Sequence, residues 1–135
     1  MTDVHGWDVM VLVRTVWGEA RGEPLRGQLA VAYVVLNRWR SGKWFAGKTL
    51  ASTCLKAHQF SAWNTGDLNR EAMCDATDAD LADCRAAAQA AVEGSQSDPT
   101  DGCTHYHTVA VSPAWARGRE PYITIGRHAF YKDVP

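Results

Sequence analysis

No apolar run in these 135 residues reaches the roughly 18 needed for a helix to cross a bilayer, which argues against a helical membrane span. Dense Lys or Arg runs are missing too, and with them the electrostatic footprint of a nucleic-acid binder. The start, Met1-Thr2-Asp3-Val4-His5, has neither the basic residues nor the apolar stretch of a secretory signal. Proline is scarce, at five residues, and no repeat, low-complexity tract or linker interrupts the chain. Paired CxxC units are absent, which removes the common framework of a structural zinc site. What remains is one domain over residues 1–135, with an apolar fraction of 46%, too high for disorder.

Several features stand out against this ordinary background. The net charge of −1 hides an asymmetry: residues 1–70 carry nine Lys/Arg against five Asp/Glu, residues 71–135 five against ten. A mildly basic first half suits an anionic polymer such as a cell wall. Six tryptophans are many for this length. Trp7, Trp17 and Trp39 sit in apolar periodic segments and are expected in the core; Trp44, Trp63 and Trp115 lie in polar or turn-rich stretches, where an indole can face a sugar ring. Cys54, Cys74, Cys84 and Cys103 allow three pairings, or none if they are reduced core residues.

Periodicity gives a coarse map. Val9, Leu12, Val13, Val16 and Trp17 recur at helical spacing, with Asp8 as the expected cap and an end near Ala20. Pro24 suits the first turn of a second helix, buried on nearly every side, that stops at Gly42. Thr49 opens a short helix through Lys56; residues 59–64 read as strand or turn, and 65–76 as polar loop. An alanine-rich helix starts at Thr77 or Asp78 and ends at Gly94, with Asp78, Asp80 and Asp83 as a solvated face. Cys103 to Val111 is extended, Ser112-Pro113 opens a short turn carrying Trp115, and residues 122–125 and 127–131 read as a final β-segment around Gly126. The fold class is α+β, predominantly helical, with a few short strands.

The chemistry concentrates in Trp17-Gly18-Glu19-Ala20-Arg21-Gly22-Glu23-Pro24. It places a carboxylate where an apolar helix stops. A half-buried glutamate there, facing a cleft, is disfavoured in its charged form and can serve as the acid that cleaves a glycosidic bond. The plain alternative is a solvated helix-end glutamate paired with Arg21. Glu23, four residues on, would share its face only if the helix ran through Gly22; it is read instead as capping the second helix or pairing with Arg21 or Arg26. Asp67 is a further carboxylate without special features. Two rival readings exist. Cys103, His105 and His107 alternate along a strand and could hold Zn²⁺ for an amidase or peptidase. Alternatively Trp44, Trp63 and Tyr106 could stack on sugars in a non-catalytic module.

The Trp17–Pro24 motif is followed by Gly27-Gln28-Leu29-Ala30-Val31-Ala32 and Val35-Leu36-Asn37-Arg38. Then come Gln59-Phe60-Ser61-Ala62-Trp63, Asp98-Pro99-Thr100 with Thr104-His105-Tyr106-His107, and Ile125-Gly126-Arg127-His128-Ala129-Phe130-Tyr131. In this order the blocks resemble the spore-cortex-lytic (SleB-like) cell wall hydrolase family across nearly the whole chain. The departure is Cys103, where a small residue such as alanine is expected. The resemblance implies a lysozyme-like domain that cuts the glycan strand of peptidoglycan at N-acetylmuramic acid; separately, a monomer without cofactor or metal is expected. It maps the essential acid onto Glu19, and the cleft segments onto Gln59, Ser61, Trp63, His105, Tyr106 and His128. A lytic transglycosylase reaction, with muramidase hydrolysis as the other outcome, fits one acid without an evident second carboxylate. Peptidoglycan is then the partner, not nucleic acid or membrane. With no signal, the expected setting is a phage endolysin made in the cytoplasm and released to the wall through a separate pore, or else a bacterial wall-remodelling enzyme.

Overall fold

A computed structural model of the chain describes residues 4–56, 60, 63–64 and 67–135. Its described elements are α1 (Gly6–Ala20), α2 (Leu25–Ser41), α3 (Leu50–Leu55), α4 (Leu68–Asp75), α5 (Asp78–Glu93), β1 (His105–Thr108), a 3-10 turn (Ala114–Ala116), β2 (Ile123–Ile125) and β3 (His128–Tyr131). The α+β, mostly helical class expected from the sequence is what forms.

Helix α2 is the hub. Residues 27–36 are all buried along it, because α1, α3 and α5 cover its faces and the sheet closes the rest. From α1 come Leu12, Val13 and Val16; from α5 come Leu81, Cys84, Ala88 and Ala91, small enough to let the helices approach closely. The stops hold as read: Gly42 and Gly94 sit in the left-handed region at φ 66° and 70°, where a β-carbon is costly. Thr49 and Thr77 cap α3 and α5 by accepting from Ser52 N and Asp80 N.

Three expectations are corrected. Asp8 is not the cap of α1 but lies inside its first turn, with His5 as the cap. Its buried carboxylate accepts from His5 N at 2.9 Å through Oδ2 and from Ala51 N at 2.9 Å through Oδ1, so one side chain ties together the starts of α1 and α3. Trp7 is exposed, because the first turn of α1 overhangs the core. Residues 68–75, read as loop, form α4. At eight residues that helix is too short for a period to stand out in the sequence; it is anchored by buried Met73 and by polar ties to α1. Arg14 donates to Met73 O (2.6 Å) and Ala76 O (3.3 Å), and Asn69 Nδ2 donates to Gly18 O (2.8 Å). All four cysteines are free thiols, with Cys54, Cys84 and Cys103 buried.

The sheet order is β1-β3-β2, antiparallel throughout, with Tyr106 opposite Phe130 and Ile123 opposite the same Phe130. Alternation then sorts side chains onto two faces. Tyr106, Thr108, His128 and Phe130 share the face toward the helices; His105, His107, Ala129 and Tyr131 share the outer one, under Trp115. Replacing Asp8 with Ala leaves two helix-start N–H groups without their acceptor. The expected loss is about 2 kcal/mol, read as a lower urea midpoint with unchanged m-value.

Candidate active site

Glu19 sits in the last turn of α1, half-buried, where Gly18 O is held by Asn69. It lines a cleft of about 480 Å³ whose other walls are the α1–α2 turn (Arg21, Gly22, Glu23), the end of β1 with Thr108 and Val109, and the start of β3 with Arg127 and His128. Tyr106 reaches across from β1 and donates its O–H to Glu19 Oε1 at 2.5 Å. Burial and the adjacent Glu19 charge push the Tyr106 phenol well above its ordinary value, so the hydroxyl remains a donor.

What places Tyr106 there is a set of polar clips between α2 and the strand. Asn37 Nδ2 donates to Cys103 O and to Asp98 Oδ2, both at 2.9 Å; Arg38 Nε donates to Thr104 O at 2.5 Å. Asp98 in turn accepts from Thr100 N, Thr100 Oγ1 and Gly102 N, and so closes the turn that leads into β1. Arg38 is buried, its guanidinium over the Phe60 ring at 4.8 Å. Burial lowers its pKa against the opposing pull of nearby Tyr106 and Glu19, so this cation belongs to the electrostatics of the site.

Glu23 corrects the reading that it caps α2 or pairs with Arg21 or Arg26. Its side chain is only 4% exposed and accepts from Arg127 N at 2.7 Å and Arg127 Nε at 3.1 Å. The β2–β3 turn is shaped around this carboxylate: a β-carbon on Gly126, which sits at φ 58°, would collide with Glu23 Oε1. Burial by itself would raise the Glu23 pKa; the Arg127 backbone and side-chain bonds, with the His128 and Arg127 charges, outweigh it and hold the carboxyl below its ordinary value. His128 is buried beside it, Nδ1 3.5 Å from Glu23 Oε1 and without a hydrogen-bond partner, its ring edge-on to Tyr106. Desolvation pushes its pKa down despite the attraction of Glu23, which favours the neutral imidazole.

Of the residues named from the sequence, the structure brings Glu19, Tyr106 and His128 together. Gln59 and Ser61 lie outside the described residues. Trp63 is half-buried against the core and donates Nε1–H to Thr15 Oγ1 at 2.8 Å, so its polar end is committed to α1. His105 is not at the cleft. It lies on the outer face between Phe45 and Trp115, and burial followed by the Arg38 charge lowers its pKa to about 4. The zinc reading fails because Cys103 precedes β1 and does not follow its alternation. His107 joins His105 outside, bonded to Tyr131 Oη at 2.8 Å. Cys103 turns inward to Thr100 O, its thiol pushed up to about 11 by burial. Among the described residues no group of three His, Cys, Asp or Glu is placed to hold a metal. Asp67 caps α4 by accepting from Asn69 N. The sequence reading gave Asn37, Arg38 and Arg127 no role at the site, although all three stand in the motif blocks.

Comparison with known proteins agrees with this architecture. A family profile described as Cell Wall Hydrolase matches residues 22–131, beginning three residues after Glu19. The spore cortex-lytic enzyme of Bacillus subtilis (strain 168) is 33% identical over 125 residues, covering 91% of this chain and 37% of that protein. The spore cortex-lytic enzyme of Oceanobacillus iheyensis is 31% identical over 126 residues, covering 93% of this chain and 41% of that protein. The chain thus spans about two-fifths of the length of these curated relatives. The crystal structure of the catalytic domain of the Bacillus cereus SleB protein matches at a TM-score of 0.78 and 26% identity, over 98% of this chain and 94% of that one. The catalytic domain of the germination-specific lytic transglycosylase SleB from Bacillus anthracis matches at 0.73 and 26% identity, over 98% and 99%. On profile, sequence identity and fold together, the chain belongs to the cell wall hydrolase family.

Proposed function

We propose that the chain is a peptidoglycan glycosidase that cleaves between N-acetylmuramic acid and N-acetylglucosamine, with Glu19 as general acid and then base. The observation that carries this reading is the Tyr106–Glu19 hydrogen bond at the wall of the cleft. By engaging Oε1, Tyr106 fixes the orientation in which the Glu19 carboxyl presents its proton to the glycosidic oxygen. The names of the relatives, spore cortex-lytic enzyme and lytic transglycosylase, support the substrate class.

Counting carboxylates supports one reaction type. Hydrolysis by the two-carboxylate route needs a second group free to act as base or nucleophile. Among the described lining residues the second carboxylate is Glu23, which is engaged by Arg127. One working acid suits intramolecular displacement. Glu19 gives its proton to the leaving O4 oxygen, the C1–O4 bond breaks, and the muramyl 6-hydroxyl bonds to C1. That hydroxyl's proton returns to the Glu19 carboxylate. The product is a 1,6-anhydro end, a lytic transglycosylase reaction.

Glu19→Gln should lower release of muropeptides from purified sacculi by roughly 10²–10⁴-fold while circular dichroism stays native; ordinary turnover would remove the assignment. Mass spectrometry of the wild-type products should give anhydro-muramyl ends, lighter by one water than the reducing ends a muramidase leaves. Tyr106→Phe should reduce kcat by up to about 10²-fold with KM little changed, since the lost hydroxyl orients the acid and not the sugar. For Glu23 the anchoring role has its own signature. A carboxyl held below its ordinary value contributes stability that is complete above about pH 4.5 and is lost as pH falls through its folded value. The Tm gap between wild type and Glu23→Gln should therefore be widest at neutral pH and close on acidification; a catalytic base would cost activity without that gap.

A further inference from the structure

We propose that Arg21 and Arg127 form a carboxylate-binding subsite next to Glu19, which takes the acidic group carried on the lactyl arm of the muramic-acid residue. The inference rests on the glycosidase reading above and adds the substituent that the cleft selects.

Arg127 is held along one edge only. Its Nε and backbone N are bound to Glu23, yet the side chain remains 74% exposed at the wall of the cleft. The far edge of the guanidinium, with Nη1 and Nη2, has no partner among the described residues. It lies across Gly22, with Nη2 3.0 Å from where a β-carbon would stand. Gly22 is not at positive φ, so its backbone does not require glycine; the missing side chain makes room for the guanidinium. Arg21, the preceding residue, lines the same cleft. Its guanidinium is stacked over Trp17 at 4.2 Å, with Nη1 donating to Trp17 O at 3.3 Å, and it forms no ion pair among the described residues.

Two arginines thus line one cleft, and among its described lining residues the carboxylates are Glu19 and Glu23, the latter buried behind Arg127. Once Glu19 is protonated for the reaction, the accessible wall is cationic. Uncharged sugar hydroxyls do not call for that. A carboxylate does, since a guanidinium edge offers it two parallel N–H donors. In an alternating glycan of this kind, the acid substituent belongs to the muramyl sugar alone. Its capture beside Glu19 would set which of the two glycosidic bonds enters the site. The acid has two sources: the free lactyl carboxylate of a peptide-free strand, or the acidic groups of a peptide attached to it.

Calorimetry on the Glu19→Gln protein tests this without turnover. The probes are soluble glycan fragments stripped of peptide, the same fragments with lactyl carboxylates converted to methyl amides, and peptide-bearing fragments. Carboxylate-bearing fragments should bind about tenfold tighter than the amides. That preference should fall toward one when Arg21→Gln is added, a change that leaves the buried Glu23 pair intact. Arg127→Lys, which keeps the charge and loses the fork, should lower it as well. Tighter binding of the peptide-free fragment assigns the lactyl acid, and of the peptide-bearing fragment the peptide acid. Equal affinity for acid and amide, or a preference untouched by Arg21→Gln, overturns the subsite and leaves the glycosidase reading standing. Binding of no fragment overturns both.

Discussion

One buried carboxylate joins the two halves of this molecule. Glu23 stands in the short turn between α1 and α2, and its partners, Arg127 and His128, lie 104 and 105 residues further along the chain. Neither half can place the cleft by itself. The helices supply Glu19, the sheet supplies Tyr106 and His128, and Glu23 holds the β2–β3 turn against the end of α1. A charge-assisted bond to a backbone N–H contributes on the order of 1.5–3 kcal/mol, a large share of the stability of a domain this size. The exposed Arg127 side of the pair adds less, because solvent screens it.

The second constraint is polar and comes from α2. Asn37 and Arg38 each donate to a backbone carbonyl just before β1, 66 residues away. These bonds fix the register at which the strand leaves the helix. A shift of one residue would turn Tyr106 outward and bring His105 or His107 inward, because strand side chains alternate. The hydroxyl that meets Glu19 therefore depends on groups outside the cleft lining. Asn69 does the same from the other side by bonding Gly18 O, next to Glu19.

A cleft with two carboxylates invites the reading of a two-carboxylate hydrolase. Geometry divides their roles instead. Glu23 is desolvated, doubly bonded and kept ionised; Glu19 is half-buried with a phenol on one oxygen. Residues with the same chemistry take different tasks because their surroundings differ, and His105 and His128 repeat the lesson. Both have lowered pKa values through burial, yet only His128 lines the cleft.

The helices of the core were readable from local pattern. Apolar spacing, the Thr49 and Thr77 caps and the Gly42 and Gly94 stops are decided within one or two turns of chain, so a linear reading captures them. The placement of Glu19 where α1 ends was legible for the same reason. Other features escaped because they are settled by meetings between distant segments. Helix α4 is too short to show its period and relies on Arg14 and Asn69; Glu23 looked like a local cap and instead bonds a hairpin at the far end of the chain. A strand shows which residues alternate but not which set turns inward. That choice, made by Asn37 and Arg38, put Tyr106 against Glu19 and left His105 outside.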